Sequence, residues 1–127
     1  MEPLLIDATD DTPQIILDSN NNKFEITGRS LPEDVIKFYE PIFNWLESYT
    51  SKPNEKTEIV LKIDYFNSAS QRALNEMLTI LSRAHNKGHE VAIKWHYMED
   101  DEDMLEAGKE FEDLTKLPFN YISYVPE

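Results

Sequence analysis

The side chains best placed for chemistry lie in the run Tyr65-Phe66-Asn67-Ser68-Ala69-Ser70-Gln71. It follows an alternating segment, Ile59, Leu61 and Ile63, and precedes an amphipathic one, so Ser68 falls where a strand turns into a helix. A helix N-terminus offers unpaired backbone N–H groups and the positive end of a dipole. A hydroxyl there can cap the helix, or it can carry a phosphate that the same end favours. Ser68 and Gln71 have capping-box spacing, so on physics alone the cap is the favoured role. Ser70, further in, reads as a solvated first-turn residue. Asn67 either closes a local side-chain turn or positions a phosphate donor.

Other chemistries find little footing. His85 and His89 have the i, i+4 spacing of a helical metal pair, but Gly88 between them ends the helix. His96 alternates away from the core, and no zincin glutamate follows His85, so no metal is expected. The acidic run Glu99 to Asp103 lacks the glycine and spaced ligands of a calcium loop. Ser68 has no G-x-S-x-G setting and no visible His–Asp relay, and only glycines 28, 88 and 108 are present. Phosphate cradles and dinucleotide fingerprints are therefore missing, no cofactor is implied, and enzyme activity has no positive support.

Composition narrows the partners. The chain has 127 residues, with 12 Lys and Arg against 25 Asp and Glu, for a net charge of -13. That charge repels nucleic acid and anionic lipid. There is no cysteine, which excludes disulfides and thiol catalysis. Met-Glu-Pro-Leu-Leu-Ile-Asp at the start lacks the regions of a signal peptide. No apolar run approaches the roughly 18 residues of a membrane span. A single cytoplasmic domain over 1–127 is expected, with 1–12 a loose or edge-lying arm.

The elements that must position Ser68 follow from periodicity. Gln14–Leu17 and Phe24–Thr27 read as strands around an Asn20-Asn21-Asn22 turn, with Gly28 closing the second. Ser30-Leu31-Pro32-Glu33 has capping-box spacing before a helix with Val35, Phe38, Tyr39, Ile42, Trp45, Leu46 and Tyr49 inward. Pro41 is expected to kink or split that helix. Then come the strand at 59–64, a helix with Leu74, Met77, Leu78, Leu81 and Ala84 inward, and a strand with Val91, Ile93, Trp95 and Tyr97. A third helix, opened by the acidic run, has Met104, Ala107, Phe111 and Leu114 inward, and Phe119–Val125 forms the last strand. The order β-β-α-β-α-β-α-β predicts an α/β fold with an N-terminal antiparallel hairpin and right-handed parallel crossovers. Because the strands alternate rather than being apolar throughout, the helices should lie mainly on one face of the mixed sheet.

Against that pattern, Tyr65-Phe66-Asn67-Ser68-Ala69-Ser70 resembles the phosphoacceptor turn of STAS-type domains, the anti-anti-sigma-factor-like regulators. Asn67 stands for their usual Asp and Ser70 for their usual Gly. The chain is more similar to the SiaC family of bacterial regulatory phosphoproteins. Thr12-Pro13, Phe43-Asn44-Trp45-Leu46, Tyr65 to Ser70, Gly88 to Tyr97 and Leu117-Pro118-Phe119 carry the likeness over nearly the whole chain. The resemblance implies a STAS-like partner switch. A Ser/Thr kinase would phosphorylate the turn hydroxyl and a PP2C-type phosphatase would remove it. The unmodified form would bind and activate a diguanylate cyclase, in cyclic-di-GMP signalling and biofilm regulation. Carried over, the acceptor is Ser68, in place of the family's Thr, with Tyr65, Asn67, Ser70 and Gln71 as candidate docking residues. Two alternatives stand beside it: a constitutive adaptor in which Ser68 only caps a helix, and a small hydrolase.

Overall fold

Every apolar alternation in the sequence ends up on one sheet. The computed structural model describes residues 1–126. The strands are β1 (Leu4–Ile6), β2 (Gln14–Asp18), β3 (Lys23–Ser30), β4 (Lys56–Phe66), β5 (Glu90–Met98) and β6 (Phe119–Tyr124). Helix α1 (Val35–Ser51) joins β3 to β4, α2 (Ser68–Asn86) joins β4 to β5, and α3 (Glu102–Thr115) joins β5 to β6. The six strands lie side by side in sequence order. β1, β2 and β3 pair antiparallel, and β3 to β6 pair parallel. Parallel neighbours laid down in order, each through a right-handed crossover, put all three helices on the same face.

Burial follows from that arrangement. In β4, Thr57, Ile59, Leu61 and Ile63 are buried, while Lys56, Glu58, Val60 and Lys62 look away from the helices. In β5, Val91, Ile93 and Trp95 are buried. The helices close over them with Tyr39, Ile42, Leu46, Leu74, Leu78, Leu81 and Phe111. Gly88, with φ +97, lies just beyond the Lys87 cap of α2, where a left-handed residue ends a helix. It thus separates His89 from the helix of His85.

Several local expectations are corrected. The first dozen residues are edge-lying rather than loose: Leu4–Ile6 pair with Leu17–Ile15 as an edge strand. The Trp45 indole N–H donates to the Glu2 carbonyl at 2.8 Å, which pins the segment ahead of that strand. Helix α1 runs through Pro41 without a break, because Pro41 and Lys37 lie on the exposed side, where water can take the freed Lys37 carbonyl. Strand β3 continues past Gly28 to Ser30, with a shift in register after Gly28. Ser30 is therefore a buried strand residue, and the cap of α1 is Asp34, which accepts from the Lys37 N–H at 3.1 Å. Leu114 is 71% exposed rather than inward. Gly108 takes the helix face that packs on Trp95, and a Cβ there would lie 2.7 Å from the indole nitrogen.

Candidate functional site

The parallel strands β4 and β5 both end at the same edge of the sheet, so the N-termini of α2 and α3 open side by side. Between them lies a groove of about 490 Å³ lined by Asp64, Tyr65, Phe66, Asn67, Ser68 and Gln71 from one side. Asp101, Asp103, Met104 and Ala107 line the other. A second, smaller hollow of about 350 Å³ also has Ser68 and Gln71 on its wall, together with Arg72, Asn75, Phe111 and Leu114. Ser68 thus stands on the ridge between two concavities, and its side chain is exposed.

The turn is built differently from the capping box read in the sequence. The N-cap of α2 is Asn67, whose Oδ1 accepts from the Ser70 N–H at 2.8 Å. The Gln71 N–H donates to the Asn67 carbonyl at 2.9 Å. Ser68 is the first helical residue, and Gln71 is an exposed side chain of the groove wall. The reason is positional: the extended backbone (ψ 175) that lets a side chain reach back to the third N–H occurs at Asn67, one residue earlier. With the cap supplied by Asn67, the Ser68 hydroxyl is left at the rim.

Ser70 also departs from expectation. It is wholly buried, and its Oγ donates to the Ser30 carbonyl at 2.9 Å and accepts from the Ser30 Oγ at 2.8 Å. The Ser30 Oγ also lies 2.6 Å from the Tyr39 hydroxyl. Burial pushes the Tyr39 phenol up from its ordinary value, with the bonds to Ser30 and Ser70 pulling the other way. Of the four residues grouped around Ser68 as docking candidates, Tyr65, Asn67 and Gln71 line the groove, whereas Ser70 lies beneath it. The sequence could not separate the two serines by type. The three-residue step from Asn67 to Ser70, which matches cap to third N–H, was the available signal.

The groove is acidic. Asp64 accepts from the Tyr124 hydroxyl at 3.1 Å, and Lys62 lies 4.4 Å above the centre of the Tyr124 ring. Asp101 caps α3 by accepting from the Met104 N–H at 3.0 Å. The Trp95 indole donates to the Met104 carbonyl at 2.9 Å, tying β5 to the first turn of α3. These contacts hold Asp64 on the wall that carries Ser68 and Asp101 on the wall opposite. Among the described residues no three His, Asp or Glu side chains gather to hold a metal ion. None of their helices is long and apolar enough to cross a membrane.

Comparison with known proteins agrees with this fold. Residues 6–124 match the family model described as SiaC family regulatory phosphoprotein. The chain is 29% identical over 119 residues to an uncharacterized protein of Pseudomonas aeruginosa (strain UCBPP-PA14), covering 94% of each. It is similar to the crystal structure of apo-SiaC from Pseudomonas aeruginosa, with a TM-score of 0.87 and 29% identity over 96% of this chain and 99% of that one. It is also similar to a chain in the crystal structure of the diguanylate cyclase SiaD in complex with its activator SiaC from the same organism. There the TM-score is 0.89 and the identity 28%, over 95% of this chain and 99% of that one. The mixed six-stranded sheet with three helices is the architecture of those structures.

Proposed function

The chain belongs to the SiaC family of regulatory phosphoproteins, and we propose that it is a partner switch whose phosphoacceptor is Ser68. In the unmodified state the surface around Ser68 binds a downstream protein of the diguanylate cyclase class, the class of partner found in complex with the similar SiaC. A Ser/Thr kinase closes the switch. The Ser68 Oγ attacks the γ-phosphorus of ATP, the bond to the ADP oxygen breaks, and the serine proton leaves to a base of the kinase. A PP2C-type phosphatase reopens it by hydrolysis to serine and inorganic phosphate. The chain's own part is binding and presentation rather than catalysis.

One observation carries this reading. Of the two turn serines, Ser68 is exposed between two hollows with its capping duty taken by Asn67, while Ser70 is buried and committed to Ser30. A phosphate adds about -1.5 to -2 charges at neutral pH. Placed beside Asp64, Asp101 and Asp103, that charge makes the groove repellent to any partner surface shaped for the neutral serine. The adaptor alternative gave Ser68 only the capping role, which Asn67 performs.

The test is a titration of a diguanylate cyclase partner against unmodified, phosphorylated, Ser68→Ala and Ser68→Asp protein. Unmodified and Ser68→Ala protein should bind alike, and the phosphorylated form should lose at least about tenfold, or roughly 1.4 kcal/mol. Ser68→Asp should fall between them, since it carries only part of the charge. Equal affinity in all four forms would overturn the switch.

A further inference from the structure

We infer that Arg72 is the intramolecular receptor for a phosphate on Ser68, so that modification also withdraws this arginine from the partner-facing surface. The inference rests on the reading of Ser68 as the acceptor and adds what the phosphate does once attached. Ser68 and Arg72 are four residues apart on α2, and such pairs are neighbours, with Cβ atoms about 5–6 Å apart. Side chains of a helix lean toward its N-terminus, so a residue covers the turn that precedes it. The Arg72 guanidinium therefore reaches back over the turn that carries Ser68. Independently of spacing, both residues line the same hollow with Gln71, Asn75, Phe111 and Leu114.

Charge selects the same direction. On the other flank of Ser68 stand Asp64, Asp101 and Asp103, which repel a phosphate dianion. Arg72 is the cation on the opposite flank, and among the described residues it forms no ion pair. Arg83, three turns further along the same helix, is by contrast held by Glu47 at 2.8 Å. The nearest rival for Arg72 is Glu76, one turn onward, which shares the α1–α2 groove with it. That pair has the arginine N-terminal to the glutamate, the weaker orientation on a helix. A phosphate offers more charge and three oxygens to a fork that binds such groups in pairs of parallel bonds. Bridged in this way, Ser68 and Arg72 would close the mouth of the hollow over Phe111 and the exposed Leu114. The carboxylate of Ser68→Asp is shorter and bears less charge, so it would engage Arg72 poorly.

The test installs phosphoserine at position 68 during synthesis of the full chain, which makes it independent of any kinase. The phosphate is titrated by ³¹P NMR in otherwise wild-type protein, in Arg72→Gln and in Arg72→Lys. A free phosphoserine loses its second proton near pH 6. With Arg72 present the midpoint should fall at least about half a unit below that of Arg72→Gln, a threefold change in proton affinity. Arg72→Lys should recover part of that difference, and the Arg72 Nε–H resonance should move when Ser68 is modified. Thermal melts of the unmodified variants should match wild type, because Arg72 is exposed. Coincident midpoints in all three proteins would overturn the inference while leaving Ser68 as acceptor intact. Failure of a kinase to modify Ser68 would sink the switch and leave the titration unchanged.

Discussion

Ser70 and Ser30, forty residues apart in sequence, are joined twice: Ser70 Oγ to Ser30 carbonyl at 2.9 Å, and Ser30 Oγ to Ser70 Oγ at 2.8 Å. Counting protons orders the whole cluster. Ser70 spends its only hydroxyl proton on the carbonyl, so it must accept from Ser30, and Ser30 must then accept from Tyr39 at 2.6 Å. Three hydroxyls from β3, α1 and α2 therefore form one directed chain directly under the turn that carries Ser68. The turn is anchored to the sheet and to α1 in the unmodified protein. A phosphate on Ser68 should therefore act only on what lies above this chain: Ser68, Arg72 and the two hollows.

Removing either end of that chain should cost stability without touching Ser68. Ser70→Ala leaves the Ser30 carbonyl with only the long 3.4 Å bond from the Asn67 N–H. Tyr39→Phe removes the donor to the Ser30 Oγ. Each should destabilise by about 1 kcal/mol, and the double variant by less than the sum, because both act on one network. Urea melts of the three proteins decide it, and full additivity would show that the hydroxyls act separately.

Asn67 should behave as the cap of α2. Asn67→Ala is expected to lose about 1 kcal/mol by denaturant melt, while Asn67→Asp keeps the acceptor and places a negative charge where the dipole favours it. The aspartate should therefore match or exceed wild type before phosphorylation. After phosphorylation the order should reverse, since the carboxylate then sits next to a dianion. An aspartate variant as weak as the alanine would show that the Asn67 Oδ1 contact is not the one that matters.

The sheet, its one-sided helices and most core positions were legible because alternation in β4 and β5 and the stripes of α1 and α2 repeat over several turns. The SiaC-like turn was legible as a motif. What failed was local and involved competition between neighbours of similar chemistry. Ser30, Ser68 and Ser70 can all cap, and only the backbone path decides that Asn67 and Asp34 do so instead. Pro41 could break a helix, but it falls on a solvated face, where the lost bond is cheap. Leu114 keeps the spacing of an inward residue, yet α3 turns Gly108 and Phe111 to the sheet and leaves Leu114 out. Arg72 was passed over because nothing in a linear sequence distinguishes an unpaired arginine from a paired one.

Gly108 measures how tightly α3, which carries the acidic wall of the groove, is seated. An added Cβ would stand 2.7 Å from Trp95 Nε1 and 2.8 Å from its Cδ1. The indole cannot yield easily, being buried and bonded to the Met104 carbonyl at 2.9 Å. Gly108→Ala should therefore push α3 off the sheet and cost about 1–3 kcal/mol, despite the better helix propensity of alanine. A red-shifted tryptophan emission together with a lower melting temperature is the expected result. An unchanged or raised melting temperature would mean that α3 sits more loosely on Trp95.

The face of the sheet without helices offers a pH test. His96 on β5 faces Lys62 on β4, Glu25 on β3 and Lys94 on its own strand, with Ile122 of β6 opposite it. Partial burial first, then Lys62 and Lys94, hold its imidazole below the ordinary value of 6.5, with Glu25 pulling it up. A folded state that binds the proton less readily than the unfolded chain is undisturbed above that ordinary value. As pH falls below it, the unfolded chain takes up the proton first, so this residue subtracts stability until the folded-state midpoint is passed. Comparing urea melts of wild type and His96→Gln at about pH 7.5, 6.5 and 5.5 isolates the effect, since the carboxylates are common to both. Wild type should lose more stability over that interval than the variant, and the His96 ring proton should titrate below 6.5. Parallel stability curves, or a midpoint above that value, would show that burial and the two lysines do not hold this histidine down.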